Sequence, residues 1–218
     1  SACPWRCAPG AGGHRQRALE PSEVLQHAVD AAAAGGEAVQ HRQHPAVAAA
    51  LEALADWSGD TALTEDVTPL CPDTDYGAAK AALYQAYGPL LARLGLSGAW
   101  ARPYFIYGPH ENPRRLAADV IVSLLEGREA LCGAGTQKRD FLHVGDVADA
   151  MVTCLFSDHQ GALNIGSGHA IPMADLITEI GRQIGRPDLI KLGARPPRPG
   201  DPELVEADTT RLLAEALA

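Results

Sequence analysis

Lysine is the first scarcity: Lys80, Lys138 and Lys191 stand against fifteen arginines among the 18 basic residues of this 218-residue chain. Where arginine serves as the general cation, a lysine that does occur is more informative, and Lys80 becomes a candidate for chemistry. Long apolar runs are also missing. None approaches the ~20 residues that cross a bilayer and no secretory signal is legible, so the expectation is a cytoplasmic chain with no membrane partner. Of five cysteines only Cys3 and Cys7 lie close together, and without a second pair they support neither a zinc site nor a disulfide framework. A net charge of -9 argues against a nucleic-acid groove as well as an anionic surface. Phenylalanine and isoleucine are absent before Phe105 and Ile106. Buried parallel strands read as near-continuous Val/Ile/Leu runs, so the first hundred residues lack the signature of an early parallel sheet.

What is present is enough apolar residue, 46% of the chain, to bury a core in one globular unit. Within it, Tyr76-Gly77-Ala78-Ala79-Lys80 heads an alanine-rich run. A spacing of four places both side chains on one helix face, with the ammonium beside the phenol. A free phenol titrates near ~10, and acid-base work at neutral pH needs a drop of about 3 units, or about 4 kcal/mol. One unit charge ~4 Å away supplies about that much at an effective dielectric of ~20. The pair alone is common on solvated helices, so its flanks decide.

Upstream lies Thr64-Glu65-Asp66-Val67-Thr68-Pro69-Leu70-Cys71-Pro72. Downstream come Arg102-Pro103-Tyr104-Phe105-Ile106-Tyr107-Gly108-Pro109, then Arg139-Asp140-Phe141-Leu142-His143-Val144, Asp146-Val147 and Asn164-Ile165-Gly166. In this order and spacing, from about Thr61 to about Arg211, the chain resembles the extended short-chain dehydrogenase/reductase family, the NAD(P)-dependent epimerases, dehydratases and ketoreductases of nucleotide sugars. The resemblance implies an α/β fold, a partial Rossmann-like doubly wound parallel sheet with a small C-terminal substrate-binding part. It implies NAD or NADP as cofactor, a nucleotide-sugar substrate, and a homodimer paired through the catalytic helix, with Leu83, Leu90 and Leu91 available for that contact. Tyr76 is then the acid-base group, and Lys80 lowers its pKa and hydrogen-bonds the nicotinamide ribose. Pro103 and Tyr104 lie where the strand passes the nicotinamide. Phe105 stands where many epimerases carry a substrate-contacting asparagine, a departure that fits the 4-ketoreductase branch better. Arg139 and Arg198 match positions that clamp the substrate's diphosphate, and Asn164 and Gly166 shape the loop beneath the nucleotide. His143 reads as a packed strand residue, and His110 is left open.

Two expected features are not legible. The hydroxyl residue that the family places about two dozen residues before the tyrosine falls at Leu51-Glu52-Ala53-Leu54, with Ser58 and Thr61 the nearest substitutes. The glycine-rich turn and helix N-terminus that hold a dinucleotide pyrophosphate are missing as well. Gly10, Gly12 and Gly13 follow Cys7-Ala8-Pro9 instead of a strand. Residues 1–58 therefore read as an atypical helical and loop segment, with helices at Glu23–Ala34 and Pro45–Trp57, and residues 59–218 as the C-terminal part of the family fold. The first segment is expected to be a replacement, a truncation or sequence read in a foreign frame. The chain ends at Ala218 inside an apparent helix, which points to truncation there also. An inactive fragment that keeps only the substrate-binding half is the alternative function.

The remaining pattern predicts a helix from Asp75, capped by Asp73 or Thr74, to Leu94, with Leu83, Tyr87, Leu90 and Leu91 buried and a kink at Gly88-Pro89. It then predicts a strand over Ser97–Tyr107, a helix over Pro113–Glu126 and short strands at Glu129–Cys132 and Arg139–Val144. A helix over Val147–Phe156, a strand at Ala162–Ile165, a helix over Pro172–Ile184 and a last helix after Asp208 complete it.

Overall fold

The computed structural model describes residues 61–72, 74–198 and 200–216. The expectations for residues 1–58, including both helices, Cys3, Cys7, the glycine cluster and Ser58, lie outside the described residues, as does Asp73.

Helix α1 spans Asp75–Leu94 as the sequence predicts, because both ends carry caps. The Thr74 hydroxyl accepts from the Gly77 amide at 3.0 Å, and Gly95 takes the left-handed conformation that closes the last turn. The helix runs on through Pro89. Its buried face matches the expected stripe only in part, at Tyr87 and Leu91, which are half-buried. Gly77, Lys80 and Ala81 are buried, with Tyr84 and Tyr87 half-buried, whereas Leu83 and Leu90 are exposed. Aromatic packing sets this rotation: Tyr84 and Tyr87 stack on Trp100 with ring centroids 5.5 and 5.2 Å away, and Tyr87 donates to the Ala99 carbonyl at 3.2 Å.

The strand expected at Ser97–Tyr107 is two, β1 (Ala99–Pro103) and β2 (Phe105–Tyr107), divided at Tyr104. They take different neighbours. β1 pairs in parallel with β5 (Gly161–Ile165), and β2 pairs in parallel with β4 (Lys138–His143). Alternation along β1 then separates two layers. Trp100 and Arg102 face α1, while Ala99 and Ala101 face helix α3 (Val144–Leu155) through Val147, Ala150 and Cys154. Helices on both faces of parallel strands are the doubly wound arrangement that the sequence predicts.

The second layer holds α2 (Leu116–Leu125) and α4 (Met173–Ile184), packed through Val120, Ile121, Leu124, Ile177 and Ile180. The two-residue strands β3 (Ala130–Leu131) and β7 (Ile190–Lys191) pair beside them. β4 is the junction of the molecule. Its first residues pair antiparallel with β6 (Ala170–Pro172) and parallel with β8 (Leu204–Val205), and its last residues pair with β2. β6 and β8 were not legible in the sequence. α2 begins three residues later than expected because Pro113 and Arg114 form a turn, and α3 begins three residues earlier because His143 caps it, its Nδ1 accepting from the Gly145 amide at 3.1 Å. Residues 212–216 continue from Thr210 as a turn of π-helix.

At the junction lies Asp140, with no exposed surface. Its Oδ1 accepts from the Ser167 amide at 2.7 Å and the Ser167 hydroxyl at 2.6 Å. Its Oδ2 accepts from the Gly168 amide at 3.0 Å and the Ala207 amide at 3.1 Å. Gly166 is required beside it, since a Cβ there would lie 2.7 Å from Oδ2 and 2.6 Å from the Ala207 methyl. Asp140→Ala should therefore cost roughly 2–4 kcal/mol, because four donors, the Ala207 amide fully buried among them, lose one acceptor at once. Urea unfolding checks this, and a loss below about 1 kcal/mol would show that the carboxylate holds nothing together.

Glu111 gives a second prediction. Burial pushes its carboxyl up to about 7, opposed by Arg115 and by a hydrogen bond with the Ala118 backbone. That bond stands in for a cap, since Arg115 at the N-cap of α2 makes none with its side chain. With the folded pKa above the unfolded value, the folded form keeps a proton that the unfolded chain releases. Stability is then greatest near the ordinary carboxylate range and falls as pH rises through about 7. The group is partly exposed, so the fall should be on the order of 1–2 kcal/mol. Glu111→Gln should flatten the profile of urea midpoint between pH 5 and 8.

Candidate active site

The structure places Tyr76 and Lys80 as their spacing predicts. The Lys80 ammonium lies 5.5 Å from the centroid of the Tyr76 ring on the same face of α1. Burial is unequal: Tyr76 is 42% exposed and Lys80 only 7%. Lys80 Nζ has no hydrogen-bond partner. An ammonium is a costly group to bury unpaired, so a lysine held in this way has its donors available to a ligand at the price of local stability. A phenol open to the surface above a buried cation is the arrangement in which the cation favours proton release and the phenol can still reach a substrate.

Pro103 and Tyr104, expected beside the nicotinamide, are both buried. Tyr104 faces inward among Asp140, Glu65, Asp208 and Arg102. Its phenol is pushed far above the ordinary range, first by burial and then by Asp140 and Glu65, with Arg102 opposing. A phenol so placed keeps its proton at any physiological pH and contributes as a neutral group. Beside it lies a cavity of about 10 Å³, lined by Thr64, Thr68, Leu70, Arg102 and Asn164 among others. It has room for about one water, not for a ligand.

Asn164 is 2% exposed and wholly engaged inside the fold. Its amide nitrogen donates to Glu65 Oε1 at 2.9 Å and its Nδ2 to the Leu63 carbonyl at 2.8 Å. It therefore ties the segment before α1 to β5, with no side-chain donor directed at open surface. Phe105 is half-buried, its ring 5.7 Å from that of Phe141. Arg139 is 3% exposed, so it is an interior residue, not a member of a surface pair. Its Nη2 donates to Asp201 Oδ1 at 2.7 Å, its Nη1 to the Lys138 carbonyl at 2.8 Å, and its guanidinium lies 5.6 Å over the Phe105 ring. Arg198 is exposed, and its carbonyl accepts from the Asp201 amide at 3.3 Å. Asp201 thus links the two arginines of the expected clamp.

Of the two histidines, His143 is the packed residue that the sequence suggests. His143 packs on Tyr107 with ring centroids 5.6 Å apart and caps α3. His110 is exposed, with φ 65, the left-handed conformation in the turn after β2. Thr61 is exposed in a bend. Among the described residues no cluster of three metal-ligating side chains occurs, and no helix is long and apolar enough to cross a membrane. Sequence reasoning gave no role to Glu65, Arg102, Asp140 or Asp201. Two of these sit inside the quoted motifs beside assigned residues, but their partners lie tens of residues away and no local spacing reveals them. Arg102, for example, donates to the Glu65 carbonyl at 3.1 Å while covering the Tyr84 ring at 4.5 Å.

Known proteins share the family sequence and the fold. A UDP-glucose 4-epimerase of Mycolicibacterium smegmatis is 32% identical over 154 residues, which cover 68% of this chain and 48% of that protein. A dTDP-glucose 4,6-dehydratase of Streptomyces niveus is 28% identical over 164 residues, 69% of this chain and 45% of that protein. The chain thus spans about half the length of the curated relatives it matches. The crystal structure of Thermus thermophilus UDP-glucose 4-epimerase in complex with NAD superposes with a TM-score of 0.65 at 27% identity, covering 75% of this chain and 54% of that one. The model of the NAD dependent epimerase/dehydratase family matches residues 7–166, a span that begins inside the segment set apart at 1–58. The chain, with its Tyr76-Lys80 helix and parallel strands, belongs to the NAD dependent epimerase/dehydratase family.

Proposed function

We propose that this chain carries the acid-base and substrate-binding part of an NAD(P)-dependent nucleotide-sugar epimerase or 4-ketoreductase acting at the fourth carbon of the sugar. The observation that carries this reading is the buried, unpartnered Lys80 ammonium against the half-exposed Tyr76 phenol. The residues present suit the nicotinamide end of the cofactor, since Lys80 has hydrogen-bond donors to give a ribose hydroxyl. When bound, NAD(P) supplies the hydride acceptor or donor for the sugar carbon. Tyr76, as the phenolate, takes the proton from the sugar hydroxyl on oxidation and, as the phenol, returns one to the ketone oxygen on reduction, and Lys80 stabilises the phenolate before the first step and after the second. Arg139 and Arg198 bind the diphosphate, for which a planar guanidinium has the matching fork. Phe105, where epimerases commonly carry asparagine, supports the reductase branch, and Pro103 and Tyr104 back the strand behind the site. The exposed leucines of α1, Leu83, Leu90 and Leu94, suit pairing of two copies through this helix; sedimentation showing only monomer at high concentration would count against that.

A second reading is favoured by length. A chain that spans about half of its relatives can retain the substrate half of the fold without the turnover. The glycine turn that holds a pyrophosphate is not legible in residues 1–75, and polar contacts at the nicotinamide end contribute only about 1 kcal/mol each, against the ~8 kcal/mol of micromolar binding.

Calorimetric titration separates the readings. NAD and NADP are expected to bind with dissociation constants well above a micromolar, and a value at or below it would mean that the first 75 residues build a phosphate site. Should the chain turn over UDP-glucose or its 4-keto counterpart with added cofactor, Tyr76→Phe should lower kcat by roughly 10²–10⁴ and leave KM within about twofold. Nucleotide-sugar binding without any turnover would select the second reading, and failure to bind either ligand would reject both.

A further inference from the structure

Arg139 is assigned above to a substrate diphosphate, yet its side chain is 3% exposed and both terminal nitrogens are already engaged. One bond, to the Lys138 carbonyl, belongs to its own strand and fixes the plane of the group. The other, to Asp201 at 2.7 Å, is an ion pair with a carboxylate whose side chain is 33% exposed. The Phe105 ring covers the guanidinium. Among these three contacts only Asp201 presents an anionic oxygen, and it does so in the manner in which a phosphate oxygen would meet an arginine. The Arg198 carbonyl accepts from the Asp201 amide, so the second expected clamp residue adjoins the same carboxylate-bearing turn.

We infer that Asp201 is an internal surrogate for the diphosphate: its carboxylate occupies the anion seat of Arg139 and competes with the nucleotide for it. The inference rests on the reading of Arg139 as a diphosphate ligand. Binding must exchange one buried ion pair for another, so the affinity for an anionic ligand is set by a difference between two carboxylate-like interactions and not by the arginine alone. Such an exchange favours ligands that offer two negative oxygens over those that offer one, because a single carboxylate can be displaced without loss only by a stronger anion.

The test is calorimetric titration of the full chain with UDP, in wild type, Asp201→Asn, Arg139→Gln and the double variant, each first shown to be folded by circular dichroism and thermal unfolding. Asp201→Asn keeps an acceptor oxygen for Arg139 and removes its charge, so UDP should bind about tenfold more tightly, the scale of one charge-assisted hydrogen bond. Arg139→Gln should weaken binding, and in that background Asp201→Asn should have no further effect. Unchanged or weaker binding by Asp201→Asn would overturn the inference and make Asp201 a residue that positions Arg139. Equal tightening in the Arg139→Gln background would also overturn it, by showing a general charge effect. If UDP binds to wild type but Arg139→Gln does not alter it, the diphosphate role of Arg139 fails first and this inference with it.

Discussion

The carboxylate of Asp140 is the constraint on which the other contacts depend. It lies within β4, the strand that meets β2, β6 and β8, and it gathers amides from the turn after β5 and from the segment after β8. Those two segments share no sheet pairing with each other, so side-chain bonds attach them, the bond from the Ala170 amide to Glu206 Oε2 at 2.6 Å together with those of the Asp140 carboxylate. Its four donors satisfy both oxygens, which lets a charged group sit fully buried without a cationic partner. The Ala207 amide bound to it belongs to the residue that bridges Leu63, and the Leu63 carbonyl in turn accepts from Asn164. One carboxylate thereby connects the segment before α1, the end of β5 and the last part of the chain.

That connection accompanies the burial of Tyr104 and Asn164, two residues of the expected site. Tyr104, Asn164 and Glu65 form a polar wall behind the ends of β1 and β5, Asn164 bonded to Glu65 and Leu63 and Tyr104 a buried phenol beside Asp140 and Glu65. A rigid wall is what a site needs if the reacting groups are to keep their geometry, and here the reactive pair is presented from a different element, α1. α1 is held to β1 by aromatic stacking on Trp100 and by Arg102 over Tyr84. Arg102 also reaches the Glu65 carbonyl, so the same guanidinium joins the helix to the wall.

The sequence revealed the features whose causes are local. The limits of α1 were legible because a threonine cap and a left-handed glycine mark them in adjacent residues. The Tyr76-Lys80 pairing was legible because helical spacing fixes it. The buried face of α1 was legible only in part, at Tyr87 and Leu91, since a hydropathy count favours leucines and the contacts that orient the helix come from Tyr84 and Tyr87 against a tryptophan on another element. The division of the strand at Tyr104 was hidden for a related reason. An unbroken β-type run can change neighbours part-way along, and nothing in its own residues says so. β6 and β8 escaped because strands of two or three residues, one ending in Pro172, carry too little pattern to be told from loop. The roles of Asp140 and Asp201 depend on partners 27 to 67 residues distant, beyond any motif.

Lys80 and Arg139 show how differently a fold can treat two buried cations, here the two of the proposed site. Both are buried, at 7% and 3% exposure, yet the arginine has a carboxylate and a carbonyl while the lysine has neither. The difference follows from geometry. A guanidinium has a planar set of five donors and reads a diphosphate by shape, so a fold can hold it ready with a replaceable anion that preserves its orientation. An ammonium acts as a point charge whose influence on the neighbouring phenol a fixed carboxylate would cancel, so the same device would remove the property for which the lysine is placed there. Leaving Lys80 unpaired therefore lowers stability while keeping its field directed at Tyr76. The fold can carry that unpaired charge because the networks around Asp140 and Asn164 leave few other buried polar atoms without a partner among the described residues.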